Sequence, residues 1–372
     1  MRNVYAVADN IFSPLGRNTS ANMKSLLEGK SGIQKQSAGF TEESFYASLF
    51  SMHGKSEETQ FSHFEQMVFS SAQDAIQFAE INPSAHKTGF ILSTTKGNIS
   101  LLEDLITDNS PGDRISLNSS ADLIAKKLGF ISEPIVVSHA CISGLLAMIT
   151  GMRLIQSGLY DTMVVSGGDL VTSFVYSGFR SFQAISPKPC KPFDASRDGI
   201  SLGEAAATII LSSGKIPGAV RLSGGSVSND ANHISGPSRS GEELCLAIRR
   251  ALQQAGSNGM DIDFISAHGT ATRYNDEMEA KAIHLAGLES VPVNSLKGYY
   301  GHTLGAAGIL ESVVTIHSMK ENLILPSLGF ENPGTEKVVQ VVKEITKGRL
   351  NKSLKTASGF GGCNAAIVLE KS

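Results

Sequence analysis

Ser138-His139-Ala140-Cys141-Ile142-Ser143-Gly144 is the stretch from which the fold can be read. The apolar run Pro134 to Val137 leads into it as a strand. Leu145, Met148, Ile149, Met152 and Ile155 then recur at helical spacing, so a buried helix is expected from about Ile142 to Gln156. Cys141 therefore stands where a strand hands over to a helix. The unpaired N–H groups and positive dipole end of a helix favour an anion, so a thiol at that point is expected to ionise more readily and act as a nucleophile. Taken alone, Cys141 also reads as a small buried hydrophobe, the usual fate of a free cysteine.

Working outward, the same alternation recurs. Val4 to Ala8, Gly89 to Ser93, Thr162 to Asp169 and Ala205 to Leu211 read as strands, with helices at about Ala21 to Glu28, Phe64 to Phe78 and Ala121 to Leu128. Thr94 to Asn98 is expected to turn into a further helical stretch. Gln34 to Ser62 and Ser181 to Lys191 are weakly patterned and read as loop. A second half begins near Lys215-Ile216-Pro217. It is read as strands at Ala219 to Ser223, Ile262 to Ala267, Val291 to Asn294, Val338 to Val342, Lys355 to Ser358 and Ala365 to Glu370. Its helices are Glu242 to Ala255, Asp276 to Leu285 and one beyond His302. Strands alternating with helices define an α/β fold with largely parallel sheets. Identity between the halves is too weak to establish a repeat from sequence.

The 372 residues can bury a large core, enough for two domains or one large duplicated one. A net charge of −3 does not call for nucleic acid, and no basic cluster interleaved with aromatics is present, so no nucleic-acid partner is expected. No segment approaches the ~18 apolar residues of a membrane span, and Met1 to Tyr5 enters a strand rather than a signal peptide, so a cytoplasmic enzyme is expected. The four cysteines (Cys141, Cys190, Cys245 and Cys363) show no metal-ligand spacing and are expected as free thiols.

Two histidines join Cys141. The strand before His268-Gly269-Thr270 releases His268 at its carboxyl end, where open α/β sheets build their sites. His302, in Lys297-Gly298-Tyr299-Tyr300-Gly301-His302, lies at a helix start, where the dipole favours the neutral imidazole.

Together these motifs resemble the β-ketoacyl-acyl-carrier-protein synthases, decarboxylating condensing enzymes of the thiolase fold. The resemblance runs through nearly the whole chain. It takes in Phe12-Ser13-Pro14-Leu15-Gly16, Gly29 to Ile33, Ala140-Cys141, Pro192-Phe193-Asp194, Arg197-Asp198-Gly199 and Gly203-Glu204. It continues with His268-Gly269-Thr270, Lys297 with Gly301-His302, and Gly359-Phe360-Gly361-Gly362 with Asn364.

It implies a five-layered α/β/α/β/α architecture of two similar halves, residues 1–215 carrying the nucleophile and 216–372 the histidines and lysine. It also implies that Cys141 accepts an acyl group from a carrier-protein thioester. Malonyl-carrier protein then loses CO2, and the enolate attacks the acyl-enzyme. His268 and His302 match the pair that donates hydrogen bonds to the malonyl thioester oxygen. The backbone N–H groups of Cys141 and Phe360 match the other oxyanion hole, and Phe360 matches the gate of the acyl pocket. Lys297 matches a buried network lysine, Glu279 a buried acid that pairs with Lys297 or a bound ion, and Thr270 and Thr272 the hydroxyls that bond the pantetheine arm.

The resemblance implies no metal or organic cofactor, because the pantetheine arrives on the acyl carrier protein. It implies a homodimer, or a heterodimer with a related subunit, formed through the strand after the nucleophile helix, about Thr162 to Ser166. An acidic carrier calls for a basic patch, with Lys96, Arg180, Lys188 and Lys191 as candidates.

Several residues depart from the pattern. His139 replaces a small residue, and continued strand alternation would turn it to the side of Cys141, where it either perturbs the thiol or packs. Gly203-Glu204-Ala205-Ala206 replaces a more glycine-rich turn, and Cys363 stands where Thr is usual. The chain is also compact for the family, which favours a specialised polyene or polyketide route. Other readings are a hydrolase using Cys141 and one His, a thiolase, and a non-catalytic chain-length-determining partner. The first leaves Lys297 and the second His unused, the second lacks its second Cys in place, and the third characteristically lacks the nucleophile.

Overall fold

A computed structural model describes residues 2–37, 41, 44–51, 61–102, 112–232 and 236–372. Two helices, Ser143–Gln156 and Ala307–Glu321, occupy its centre. Both are buried almost all round, as a helix between two sheets must be. Each packs against strands of both halves. The outer helices are amphipathic instead. His63–Phe78 and Leu117–Leu128 cover the first half, and Glu242–Gln254 and Arg273–Leu285 cover the second. The layers are thus helix, sheet, paired central helices, sheet, helix.

Strand order reveals a duplication that residue identity hides. In the first half, Ile135–Val137, Thr88–Ser93, Thr162–Asp169, Ala205–Ser212 and Tyr5–Phe12 lie side by side. In chain order that is third, second, fourth, fifth, first. In the second half Pro292–Asn294, Phe264–Ser266, Lys352–Gly359, Cys363–Lys371 and Val220–Asn229 repeat the same order. Directions repeat too: third, second and fourth strands are parallel, while fourth with fifth and fifth with first are antiparallel. The two sets join where Tyr5 and Ala6 pair with Arg221 and Val220. Gln340–Val341 adds an edge to the second set.

The expected dimerisation strand is overturned by this order. Thr162–Asp169 is paired on both sides, by Thr88–Ser93 and Ala205–Ser212, and has no edge to offer. The edge of the first half is Ile135–Val137, which leads directly to Cys141. Other elements extend the sequence reading. Val220–Asn229 runs well past Ser223, because Gly224 and Gly225 are strand residues rather than a turn. A Cβ on Gly224 would lie 2.1 Å from the Ala251 carbonyl of the covering helix, so only glycine allows that approach.

Ser173–Ser181 forms a helix not anticipated from its aromatic and β-branched residues, capped by Thr172, whose hydroxyl accepts the Val175 N–H at 3.2 Å. Within the expected loop from Gln34 to Ser62, Gln34–Gln36 and Phe45–Ser48 pair, and Leu202–Gly203 joins them in a small sheet. Residues 38–40, 42–43 and 52–60 of that loop lie outside the described residues, as does most of the helical stretch expected after Asn98, residues 103–111.

Candidate active site

The duplicated topology brings four turns together. The third strand of each half runs through a tight elbow into a central helix, one elbow holding Cys141 and the other His302. In the first, Ala140 takes φ +46°, a left-handed conformation uncommon outside glycine, and Ser143 Oγ bonds both the His139 N–H at 2.7 Å and the Ala140 carbonyl at 2.6 Å. In the second, the His302 N–H donates to Ser201 O at 2.7 Å, and its carbonyl accepts from Gly203 at 3.1 Å. The helices beyond these elbows cross at Gly144 and Gly308 with backbones nearly touching, which sets the two elbows side by side. His268 leaves the second strand of the second half, and Phe360 sits in the hairpin between Lys352–Gly359 and Cys363–Lys371.

One ligand atom from each of Cys141, His268 and His302 lies within 4.8 Å of the others, and all three residues are buried. The imidazole rings meet edge to face with centroids 5.3 Å apart. Nδ1 and Nε2 of His302 and Nδ1 of His268 make no hydrogen bond to the protein, which leaves them for a guest.

Both imidazoles are held well below their ordinary pKa. Burial is the main cause, and the positive charges of Lys297 and Lys355 add to it. The helix-start argument for a neutral His302 thus gives the right state with a lesser cause. For Cys141 the corresponding argument fails. Burial pushes the thiol up to about 12, neighbouring Cys363 and Asp169 push the same way, and Lys297 and the Phe360 N–H oppose them only in part. The regular helix starts at Ser143, two residues beyond the sulfur. The resting nucleophile is a thiol flanked by two neutral bases.

Lys297 and Glu279 are both fully buried, but of the two partners expected for Glu279, Lys297 or a bound ion, Lys297 is not one. Lys297 is bonded to Glu311, which also takes Lys355 at 2.6 Å. Glu279 instead accepts the backbone N–H groups of His268 and Gly269, each at 2.8 Å, and the Thr356 hydroxyl at 2.6 Å. It is a bracket for the His268 turn. Glu311 and Lys355 were missed by sequence reasoning. The available signals were a lone acid inside the apolar helix Ile309 to Ile316 and a lone cation inside a core strand.

His139 is exposed, since the strand ends at Val137 and the elbow breaks alternation, so it does not reach the thiol as that alternation required. Thr270 and Thr272 both line the cavity and share a 3.0 Å contact between their hydroxyls, and Thr272 also caps the helix Arg273–Leu285.

The cavity has a volume of about 500 Å³. Cys141, His268 and His302 lie in its wall, with Phe179, Phe182 and Phe360. The Phe360 ring packs against Phe179 at 5.6 Å and Phe182 at 5.1 Å between centroids. Arg273 and Tyr274, both exposed, reach the cavity and an adjoining cleft that also holds Arg239. None of Lys96, Arg180, Lys188 and Lys191 lines either hollow. Lys191 is paired with Glu331 at 3.0 Å, and Lys96 stands 6.0 Å from the Phe174 ring.

A buried thiol between two neutral imidazoles, at the junction of a duplicated sheet with this strand order, defines a condensing enzyme of the thiolase fold. Residues 1–215 match the family described as beta-ketoacyl synthase, N-terminal domain, and residues 219–331 match its C-terminal domain. The chain belongs to the β-ketoacyl synthase family, whose members are acyltransferases.

Among curated relatives, it is 29% identical to a putative mitochondrial 3-oxoacyl-[acyl-carrier-protein] synthase of Schizosaccharomyces pombe, over 100% of this chain and 99% of that protein. It is 33% identical to 3-oxoacyl-[acyl-carrier-protein] synthase 2 of Rhizobium meliloti over 70% of this chain and 66% of that protein. The fold superposes on a chain of the complex between a ketosynthase and its chain length factor from Xenorhabdus doucetiae, with TM-score 0.89, 24% identity, and coverage of 100% of this chain and 98% of that one. No helix among the described residues is long and apolar enough to cross a membrane.

Proposed function

We propose that this β-ketoacyl synthase performs the decarboxylative condensation of an acyl thioester with a malonyl thioester, both delivered by an acyl carrier protein. The close convergence of buried Cys141, His268 and His302 in the wall of one pocket carries the reading. In the first half-reaction the Cys141 sulfur attacks the carrier-bound acyl carbonyl. A neutral imidazole takes the thiol proton as the attack proceeds, so a free thiolate is not required. The Cys141 and Phe360 N–H groups receive the oxyanion, and its collapse breaks the carrier's C–S bond, the departing pantetheine sulfur taking the proton back from the imidazole. In the second, His268 and His302 donate to the malonyl thioester oxygen as CO2 leaves, where fixed donors are worth about 3 to 4 kcal/mol each. The enolate carbon then attacks the acyl-enzyme and frees the sulfur.

Residues 1–215 supply the nucleophile, and residues 216–372 supply the imidazoles and Lys297. Thr270 and Thr272 stand where amides of a pantetheine arm would need partners, and Phe360, in contact with Phe179 and Phe182, gates the acyl end. The reaction calls for no metal or organic cofactor, since the arm arrives on its carrier. Arg273, which lines the cavity, and Arg239, in the adjoining cleft, rather than the four cations named from sequence, are the charges offered to an acidic carrier. A second copy or a related subunit would pair along the Ile135–Val137 edge, and the setting is the cytoplasm, where such carriers circulate.

The deciding experiment is the intact mass of the protein after exposure to acyl-carrier proteins, wild type beside Cys141→Ala. Gain of one acyl group by wild type alone supports the reading. No gain with any donor would instead favour a chain-length-determining partner subunit.

A further inference from the structure

Lys355 is fully buried in the middle of the core strand Lys352–Gly359 and takes no step in the chemistry above, although its charge helps to hold the imidazoles neutral. Its Nζ lies 3.2 Å from the Ser266 carbonyl, 3.2 Å from the Ala267 carbonyl, 2.8 Å from the Thr356 carbonyl and 2.6 Å from the Glu311 carboxylate. All four are acceptors. A neutral amine would turn a lone pair toward one of them, whereas an ammonium presents only N–H and positive charge, so the cationic form is the one that fits. Burial works against that charge and Glu311 and Glu279 support it, with Lys297 opposing. Backbone carbonyls that replace a hydration shell are also what proteins offer a dehydrated potassium ion.

What the cage holds gives it a role. Ser266 and Ala267 immediately precede His268, so the ammonium grips the carbonyls of the peptide run whose next two N–H groups, those of His268 and Gly269, are gripped by Glu279. Thr356, next to Lys355, closes the circuit through its hydroxyl on Glu279 at 2.6 Å. One cation and one anion thus fix the turn from opposite sides.

We propose that Lys355 is a tethered monovalent cation: its ammonium fills a carbonyl cage that positions His268, and the chain therefore needs no inorganic cation to order this turn. Lys355 is a positioning residue, and only the kinetic part of the test rests on the role proposed for His268.

The test compares wild type, Lys355→Ala and Lys355→Met in choline chloride and then, at equal ionic strength, in potassium, ammonium or methylammonium chloride. Thermal unfolding, acylation of Cys141 by mass, and decarboxylation of malonyl-carrier protein are measured in each. Wild type is expected to be indifferent to the cation. Lys355→Ala should lose decarboxylation roughly tenfold or more, the scale for removing a supporting partner, while acylation stays near wild type. Ammonium or methylammonium should raise both its melting temperature and its decarboxylation rate. Lys355→Met fills the space without charge, so its loss should resist rescue.

A wild type that requires a particular monovalent cation overturns the proposal, as does an alanine variant whose melting temperature ignores every cation, or a methionine variant that decarboxylates at the wild-type rate. If the alanine variant does not fold, the wild-type and methionine measurements still decide. A wild type that is neither acylated nor able to decarboxylate refutes the functional reading instead, and the unfolding measurements judge Lys355 without it.

Discussion

Gly144 and Gly308 face each other where the two central helices cross. A Cβ on Gly308 would stand 2.3 Å from the Leu145 nitrogen, and one on Gly144 would stand 2.8 Å from the Gly305 carbonyl. Both obstacles are backbone, so no rotamer change relieves them. Each glycine lies a few residues beyond one elbow, and their contact fixes the separation of Cys141 from His302. Gly308→Ala is expected to cost about 1–3 kcal/mol, the range for overpacking a core, measured by chemical denaturation. Condensation should fall even at temperatures where the variant stays folded. Unchanged stability would mean the crossing has slack that the geometry does not show.

The two histidines should separate the half-reactions. His302→Ala and His268→Ala are each expected to slow decarboxylation of malonyl-carrier protein by about 10²–10³, the cost of removing one oxyanion donor. At least one of the two variants should still form acyl-Cys141, seen as a mass gain, because the other neutral imidazole remains to take the thiol proton. If neither is acylated, the proton must pass through both rings.

Glu204 makes stability depend on pH. It is buried and, among the described residues, accepts the N–H groups of Phe50 and Val171, each at 3.1 Å; burial outweighs them and lifts its carboxyl to about 7. The folded state therefore binds its proton more tightly than the unfolded chain. The stability this confers is fully present below the unfolded value near 4.5, is lost as pH rises toward 7, and stays lost above it. Glu204→Gln should remove that slope, so the wild-type-minus-variant difference should change by on the order of a few kcal/mol across this window. A difference that is flat with pH from 4.5 to 7 would show that the carboxyl ionises freely in the fold.

Arg273 and Arg239 should govern encounter rather than chemistry. Charge reversal at either, Arg273→Glu or Arg239→Glu, is expected to raise KM for the acyl-carrier protein roughly threefold to tenfold, with kcat little changed and the effect shrinking in high salt. Lys188→Glu should do less, since Lys188 lines neither hollow. A larger effect at Lys188 would move the docking surface to the Ser181–Lys191 side.

Sequence exposed the reacting groups because each lies just past an apolar or glycine-rich run, and a reactive side chain at such a boundary is conspicuous. Cys141, His268 and His302 are all of this kind. Glu311 and Lys355 sit inside their elements, where a single charge looks like one more exposed position until the packing is known. Pairing of Lys297 with Glu311 rather than Glu279 depends on which helix lies opposite, a long-range fact that spacing does not contain. Strand order failed for the same reason. Thr162–Asp169 follows the nucleophile helix in the chain, yet its parallel and antiparallel neighbours place it inside the sheet. The ionisation of Cys141 was misjudged because a helix end is a local influence, and the desolvation that overrides it comes from the whole core.

The edge strand Ile135–Val137 is only three residues long, and the chain passes from its end to Cys141 with no intervening regular element. A neighbour that paired along this rim would be separated from Cys141 by Ser138, His139 and Ala140 alone.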